Sequence, residues 1–384
     1  MSGAPPLALY VHLPWCVRKC PYCDFNSHVH KGALPEAEYV QALLADLAAD
    51  AVAVAGRRVE TVFFGGGTPS LFTPESLAAF LAGVRARVAL APEAEVTLEA
   101  NPGTMEHGRF EGYREAGINR ISLGAQSFGA RQLELLGRIH AAADTARAVG
   151  ELRTAGLANF NLDLMYALPE QTLEGALADV ATALALRPPH LSHYQLTLEP
   201  GTAFHARPPQ LPDEDLAAAI QEATHAELAA AGLRQYEVSA WSQPGAECRH
   251  NLNYWRFGDY LGIGAGAHGK RTGPDGAIVR SEKAKQPREY LARAGRGEPL
   301  GSESEVAPAA RPFEYLLNAL RLSEGFAVED FEARTGVPIA AVEREFAVAL
   351  GRGLLEATAA GFRPTPLGQR FLNDLQALFL PGRH

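Results

Sequence analysis

The chain has 384 residues, of which 47% are hydrophobic and 21% charged, and its formal net charge is −9. This length suits one large domain and a smaller one, and the composition is typical of globular proteins. Nucleic-acid-binding proteins usually carry a basic stripe, so an acidic chain predicts no nucleic-acid partner. Four cysteines in so long a chain do not make a disulfide framework, and we therefore expect a cytoplasmic protein.

The sequence shows no signal for membrane insertion. No basic segment followed by an apolar stretch opens the chain, and no run of about 18 apolar residues occurs in it. We therefore expect neither a signal peptide nor a transmembrane helix. Any contact with the inner membrane would be peripheral.

Short apolar runs alternate with segments of helical period along the first 235 residues. The predicted strands are Leu7–Leu13, Val59–Phe64, Glu95–Ala100, Ile118–Leu123, Phe160–Met165 and His190–Leu198. The predicted helices include Pro35–Val54, a helix opening at Thr73-Pro74, Leu173–Leu186 and Asp213–Ala231. This alternation is typical of parallel strands covered by helices. Six units are too few for an eight-stranded barrel. The predicted fold class is therefore α/β, a partial (β/α)6 TIM-like barrel, with a doubly wound sheet as the alternative.

The regular alternation ends near Gly232. We expect residues 1–235 to form the partial barrel and residues 236–304 to form a Gly/Pro-rich segment that closes it. Helical periodicity returns from about Pro308, so residues 305–384 are predicted to be a small, mainly helical C-terminal domain.

Three cysteines follow the first predicted strand in the spacing C-x3-C-x2-C, as Cys16, Cys20 and Cys23. Three thiolates so placed can hold three irons of a [4Fe–4S] cluster, which is most often held by four cysteines. The remaining Cys248 is distant in sequence, so one iron is free for a small molecule unless Cys248 folds back. Two alternatives stay open: a zinc site completed by a histidine, and a redox pair formed by Cys20 and Cys23.

The cysteine motif, together with Gly65-Gly66-Gly67-Thr68-Pro69 after the second strand, resembles the radical SAM superfamily. In that superfamily the open iron chelates the amino and carboxylate groups of S-adenosylmethionine (SAM). Within it, the chain is similar to the coproporphyrinogen III oxidase-like branch and most similar to heme chaperones of the HemW type. The resemblance implies a [4Fe–4S] cluster, SAM and heme as bound groups.

The resemblance also implies roles for particular residues. Cys16, Cys20 and Cys23 would bind the cluster. Tyr10 and Tyr22 would contact SAM largely through their backbone; Gly66, Gly67 and Thr68 would hold its methionine end and Glu99 its ribose. In the oxidases, residues matching Gln126, Arg138 and Asp163 contact a second SAM. Most of these residues follow predicted strands, and such strand ends meet at one mouth of a parallel barrel.

A glycine pattern near residue 264 matches a dinucleotide-binding motif. Gly264, Gly266 and Gly269 form G-x-G-x-x-G, but a dinucleotide site needs this motif to open a helix. Here turn-forming residues follow it. We therefore predict a loop over the barrel mouth rather than a nucleotide site.

The run His250-Asn-Leu-Asn-Tyr-Trp255 lies within the Gly/Pro-rich segment. Composition alone favours a turn whose aromatic rings pack against the barrel. The run nevertheless resembles the signature of the heme chaperones, and imidazole is a common axial ligand of heme iron. The resemblance therefore makes His250 a candidate heme ligand.

Two functions remain. The first is a heme chaperone that carries the cluster and SAM and delivers heme to acceptor hemoproteins such as respiratory cytochromes. The second is an oxygen-independent coproporphyrinogen III oxidase. Three features favour the first. Phe25 stands where the oxidases typically carry a further cysteine, and the segment before the first strand is shorter than in the oxidases. The oxidases are also not marked by the run at His250.

Overall fold

The computed structural model describes residues 4–103 and 108–381. Its strands are β1 (Leu7–Leu13), β2 (Trp15–Cys16), β3 (His28–Val29), β4 (Arg58–Gly66), β5 (Ala89–Ala100), β6 (Arg120–Gln126), β7 (Phe160–Tyr166), β8 (His190–Gln195), β9 (Arg234–Glu237), β10 (Ala240–Ser242), β11 (Asp259–Ile263), β12 (His268–Thr272), β13 (Ile278–Lys283), β14 (Gly301–Glu305), β15 (Phe326–Ala327), β16 (Leu355–Ala357) and β17 (Gly361–Pro364).

The α-helices follow the same order. They are α1 (Glu36–Ala51), α2 (Pro74–Arg85), α3 (Phe110–Ala116), α4 (Ala130–Leu135), α5 (Ala142–Thr154), α6 (Leu173–Ala185), α7 (Ala203–Ala206), α8 (Glu214–Ala230), α9 (Arg249–Trp255), α10 (Pro287–Arg296), α11 (Arg311–Ala319), α12 (Val328–Thr335), α13 (Glu343–Gly351), α14 (Pro366–Arg370) and α15 (Leu372–Ala377). Across the described ranges, no helix combines the length and the apolar character needed to cross a membrane.

Six parallel strands form the centre of one sheet in the order β1-β4-β5-β6-β7-β8, with helices in the connections. The strands are apolar because both of their faces are covered. Leu9 pairs with Val62, and Phe64 pairs with Leu98; all four side chains are buried. The sheet does not close in the described residues, since β14 and β9 form its two edges. The predicted partial (β/α)6 barrel is confirmed.

The boundaries of several strands differ from those predicted. The third strand begins six residues earlier than predicted, at Ala89, and the sixth ends three residues earlier, at Gln195. Alternating side chains such as Thr97 and Leu98 identify a strand interior well. They identify its ends poorly, because pairing with neighbouring strands decides where a strand stops.

The segment 236–304, predicted to be Gly/Pro-rich and to close the barrel, consists largely of regular structure. Residues 236–304 contain β10 to β14 and two helices, and their strands extend the sheet at both sides instead of closing it. β11 pairs in parallel with β1, while β12, β13 and β14 continue from it as an antiparallel meander. The short strands and frequent glycines hid this extension from the sequence analysis.

The C-terminal region is mainly helical, as predicted, with α11 to α15. A small antiparallel sheet, β15-β17-β16, which the sequence analysis did not predict, completes it. Its buried aromatic residues include Tyr315, Phe326 and Phe331, and they pack in one cluster with Phe257 at the end of α9. This second core holds the C-terminal region against the β11 side of the sheet.

A buried ionic network fixes the start of β11. The Asp259 carboxylate accepts hydrogen bonds from Lys270 Nζ at 2.9 Å, Arg57 Nη1 at 2.7 Å and both the backbone and the hydroxyl of Thr272. Burial opposes its charge, but these partners outweigh burial and hold the pKa of Asp259 below its usual value. The network joins the β12 meander to the start of β4.

We predict that Asp259→Asn lowers the free energy of unfolding by about 3–5 kcal/mol, because it leaves the buried Lys270 without its counter-charge. The measurement is urea denaturation followed by circular dichroism. Asp275→Asn, at an exposed turn between β12 and β13, is the matched control and should change stability by less than about 1 kcal/mol. Equal effects of the two variants would contradict the prediction.

Candidate functional site

The three cysteines lie on the loop that follows β1, at the mouth of the sheet. Cys16, Cys20 and Cys23 are all free, and all line one cavity of about 500 Å³, named here the cluster cavity. Cys248 is also free but does not fold back: it is buried elsewhere, with its Sγ 3.7 Å from Glu95 Oε1. Three thiols, not four, therefore face this cavity.

Each of the three sulfurs has a polar neighbour. Thr68 Oγ1 donates to Cys16 Sγ at 3.6 Å, Arg138 Nη1 donates to Cys20 Sγ at 3.6 Å, and Ser27 Oγ lies 3.8 Å from Cys23 Sγ. Burial raises the pKa of Cys16, whereas the hydrogen bond from Thr68 lowers it. Such donors stabilise thiolate ligands of iron and tune a cluster.

The residues present fit a cluster with three protein ligands. In the described ranges, no three His, Cys, Asp or Glu side chains are grouped to hold a single metal ion. Cluster cysteines do not have that geometry, because each binds a different iron. A second observation supports a bound polar group: the Nε of Arg138 is buried and has no hydrogen-bond partner among the described residues. A ligand in the cluster cavity could provide that partner.

The glycine run after β4 holds the cysteine loop in place. Gly67 N–H donates to Leu13 O at 2.9 Å, and Thr68 N–H donates to Trp15 O at 2.8 Å. A Cβ on Gly67 would lie only 2.5 Å from Trp15 O, so a glycine is needed for this approach. Gly66, Gly67 and Thr68 all line the cluster cavity, but two of their three N–H groups are used by the cysteine loop.

Two partly buried carboxyl groups, those of Glu99 and Asp163, also line the cluster cavity. Glu99 accepts from Gly66 N–H at 3.2 Å; burial and the nearby Asp163 raise its pKa to about 8. Burial also raises the pKa of Asp163, although hydrogen bonds from Asn161 and Ser122 oppose the shift. Without a ligand, Glu99 is therefore largely protonated at neutral pH and can donate as well as accept hydrogen bonds.

Arg138 and Gln126 line the same cavity. Arg138 Nη2 donates to Asn101 Oδ1 at 2.6 Å and to Gly124 O at 2.8 Å, so its guanidinium is fixed in place. Gln126 has a positive φ of 67° and accepts from Tyr194 OH at 2.7 Å. A non-glycine residue in this region is uncommon and is often found at functional sites.

Most of the predicted site residues share the cluster cavity. Its lining includes the three cysteines and Tyr22, Gly66, Gly67, Thr68, Glu99, Gln126, Arg138 and Asp163. Tyr10 is the first exception: its OH lies 3.0 Å from His12 Nδ1, and its side chain lines a neighbouring cavity. The sequence analysis missed Ser122 and Tyr194, whose positions inside strands gave no signal that they line the same cavity.

His250 is the second exception. The run from His250 to Trp255 is not a turn but part of α9, and the His250 side chain is fully buried. Its Nδ1 lies 2.8 Å from Thr61 Oγ1 and its Nε2 lies 2.9 Å from Tyr254 OH. Because both ring nitrogens have partners and His250 lines neither of the two cavities described above, this arrangement does not support His250 as a heme ligand.

The turn at Gly264 and Gly266 connects β11 to the antiparallel strand β12 and opens no helix, whereas a dinucleotide-binding motif would open one. Both glycines have positive φ, at 101° and 80°. A Cβ on Gly264 would lie 2.4 Å from His12 O. The turn therefore packs closely on the end of β1, next to the cysteine loop.

Comparisons with known proteins agree with this geometry. Residues 10–181 match the model of the radical SAM superfamily, and residues 306–371 match that of the HemN C-terminal domain. The chain is 51% identical to the heme chaperone HemW of Escherichia coli, over 99% of this chain and 100% of that protein. It is 38% identical to the heme chaperone HemW of Mycobacterium tuberculosis, over 91% of this chain and 89% of that protein.

A solved structure shares the whole fold. Coproporphyrinogen III oxidase (HemN) from Escherichia coli, described as a radical SAM enzyme, superposes with a TM-score of 0.83 at 22% identity and covers 98% of this chain and 90% of its own. The fold and the cysteine site thus define a radical SAM protein, a class that implies a [4Fe–4S] cluster and SAM. At 51% identity over its full length, the chain belongs to the HemW family.

The raised pKa of Glu99 predicts a pH-dependent stability. The folded state keeps a proton that the unfolded state loses between about pH 4.5 and 8, so the free energy of unfolding should fall as the pH rises through this range. In wild type without cofactors, this fall in the free energy of unfolding should be on the order of a few kcal/mol. Glu99→Gln, prepared in the same way, should not show it. Denaturant unfolding at pH 5 and pH 8 measures it.

The matched control is Glu38→Gln, which replaces an exposed carboxylate on α1. It should keep the wild-type dependence on pH. If the free energy of unfolding changed with pH equally in Glu99→Gln and in wild type, burial of Glu99 would not be the cause of the pH dependence.

Proposed function

We propose that the protein is a heme chaperone that carries a [4Fe–4S] cluster and SAM and delivers heme to acceptor hemoproteins such as respiratory cytochromes. The observation that carries this proposal is the 51% identity with the heme chaperone HemW of Escherichia coli over the full length of both chains. The proposal includes a cytoplasmic location with peripheral contact at the inner membrane, where such acceptors are reached.

Cys16, Cys20 and Cys23 would hold three irons, and SAM would occupy the fourth through its amino and carboxylate groups. A bound cluster supplies one-electron chemistry. Gly67 and Thr68 keep the cysteine loop at the strand ends through backbone hydrogen bonds. Glu99 and Asp163 lie in the same cavity, where buried carboxyl groups can bind hydroxyl or ammonium groups of SAM.

The oxidase remains a second candidate because of one observation. Gln126, Arg138 and Asp163, the residue types associated with a second SAM in the oxidases, all line the cluster cavity. Phe25, which stands where the oxidases typically carry a further cysteine, is 59% exposed near this cavity and argues for the chaperone.

The cluster assignment predicts about four irons per chain after anaerobic reconstitution, with broad visible absorption. Cys16→Ala, Cys20→Ala and Cys23→Ala should each lose most of that absorption. Cys248→Ala should keep it, because this thiol is buried beside Glu95 and outside the cluster cavity. Iron and absorption are measured on the same samples. Tightly bound zinc in wild type, or loss of iron in Cys248→Ala, would contradict the assignment.

One preparation of the protein, supplied separately with hemin and with coproporphyrinogen III, tests the choice between chaperone and oxidase. We expect hemin titration to give a Soret band that saturates near one heme per chain. We expect no protoporphyrinogen when coproporphyrinogen III, SAM and a reductant are supplied without oxygen. Absence of heme binding would overturn the chaperone proposal, and protoporphyrinogen formation would establish the oxidase.

A further inference from the structure

A second cavity adjoins the cluster cavity on the side of the β11–β14 extension. Its volume is about 820 Å³, within the range of roughly 300–1,000 Å³ typical of cofactor sites. We name it the lateral cavity; its lining includes Phe25, Trp255, Tyr260, His268, Arg280 and Lys285. Phe25 and Trp255 line the cluster cavity as well, so the two cavities share a wall.

His268 lies on this cavity with its imidazole accessible. It is the first residue of β12, its side chain is 59% exposed, and its Nε2 lies 4.0 Å from Glu282 Oε1, beyond hydrogen-bond distance. It thus differs from His250, whose two ring nitrogens are bonded in a buried position. An accessible imidazole nitrogen on a large cavity is what an axial ligand of heme iron requires.

Four cations line the lateral cavity, together with the carboxyl groups of Asp24 and Glu99. Lys270 is paired with Asp259 and Arg280 with Glu314, and Nζ of the exposed Lys285 lies 3.1 Å from Glu282 Oε1. Lys19 donates to the carbonyl groups of Phe25 and Ser27, at 3.2 and 3.4 Å, and no carboxylate of the described residues forms an ion pair with it. Cations at the rim of a cavity suit the two propionate groups of a heme.

Aromatic rings supply flat apolar surfaces in the same cavity. Phe25 is 59% exposed and lines the cavity, so its ring is accessible to a ligand there. Tyr254 packs edge-on against Tyr260 at 4.6 Å, and its hydroxyl is held by His250 Nε2 at 2.9 Å. The run that begins at His250 therefore contributes cavity walls through Tyr254 and Trp255, with His250 as a positioning residue.

We propose that the lateral cavity binds heme and that His268 supplies the axial ligand to its iron, with Lys19 and Lys285 facing the propionates and Phe25 packing on the porphyrin. This assignment rests on the proposed chaperone function and deepens it, because it names the site and the ligand.

The test is a hemin titration of cluster-reconstituted protein, monitored by absorption and electron paramagnetic resonance. His268→Ala should lose the spectrum of histidine-ligated ferric heme and weaken binding by at least tenfold. Imidazole added to His268→Ala with heme should restore the wild-type spectrum, because free imidazole can occupy the vacated position. His268→Cys should shift the Soret band to that of a thiolate-ligated heme. These spectral changes are not expected from a purely structural role.

Three control variants distinguish ligation of the iron by His268 from other effects on heme binding. His205→Ala removes an exposed histidine of α7 and should leave the spectrum unchanged. Lys19→Gln with Lys285→Gln should weaken binding by roughly tenfold without changing the ligand spectrum. His250→Gln should keep the ligand spectrum even where it weakens binding.

The outcomes distinguish the two proposals. If wild-type protein binds no heme, the chaperone function itself fails. If wild type binds heme and His268→Ala keeps the same spectrum and affinity, the function stands and the assignment of His268 is overturned. Loss of the ligand spectrum in His250→Gln but not in His268→Ala would instead place the iron at His250.

Discussion

The cysteine loop is held at the strand ends by two backbone hydrogen bonds, and the geometry of the site depends on them. They run from Gly67 to Leu13 O and from Thr68 to Trp15 O, so they join the ends of β4 and β1. Only a glycine allows the close approach at residue 67, where a Cβ would meet a carbonyl oxygen. Because the loop is fixed at both strands, three separate thiols face the same cavity in a defined arrangement.

This constraint also changes the role of the Gly-Gly-Gly-Thr-Pro run. The family resemblance implies that Gly66, Gly67 and Thr68 hold the methionine end of SAM. In the structure, the N–H groups of Gly67 and Thr68 bind the cysteine loop, and that of Gly66 binds Glu99. The run therefore acts first on the protein, by placing the cysteines and one carboxyl group. The Thr68 hydroxyl acts on the protein as well, since it donates to Cys16 Sγ and accepts from Asn101 Nδ2.

The sequence predicted the six central strands and the grouping of three cysteines because both signals are local. Runs such as Val59–Phe64 and a C-x3-C-x2-C spacing are visible without knowledge of the fold. The β11–β14 extension was missed because its strands are short and glycines with positive φ, such as Gly264 and Gly266, read as turns. The surroundings of His250 and His268 could not be predicted, because tertiary packing alone makes one imidazole buried and the other accessible.

An unclosed sheet has two edges whose backbone groups could pair with a strand of another molecule. On β14, the edge strand, Glu303 is paired with Arg271 and Glu305 lies 3.6 Å from Arg311, so this edge carries charged side chains of both signs rather than an apolar surface. At the other edge, Glu237 of β9 makes an isolated bridge to Leu322, which follows α11, so the chain covers part of that edge itself. The fold thus keeps its mouth open for ligands while charge and the C-terminal region oppose the growth of the sheet into a larger assembly.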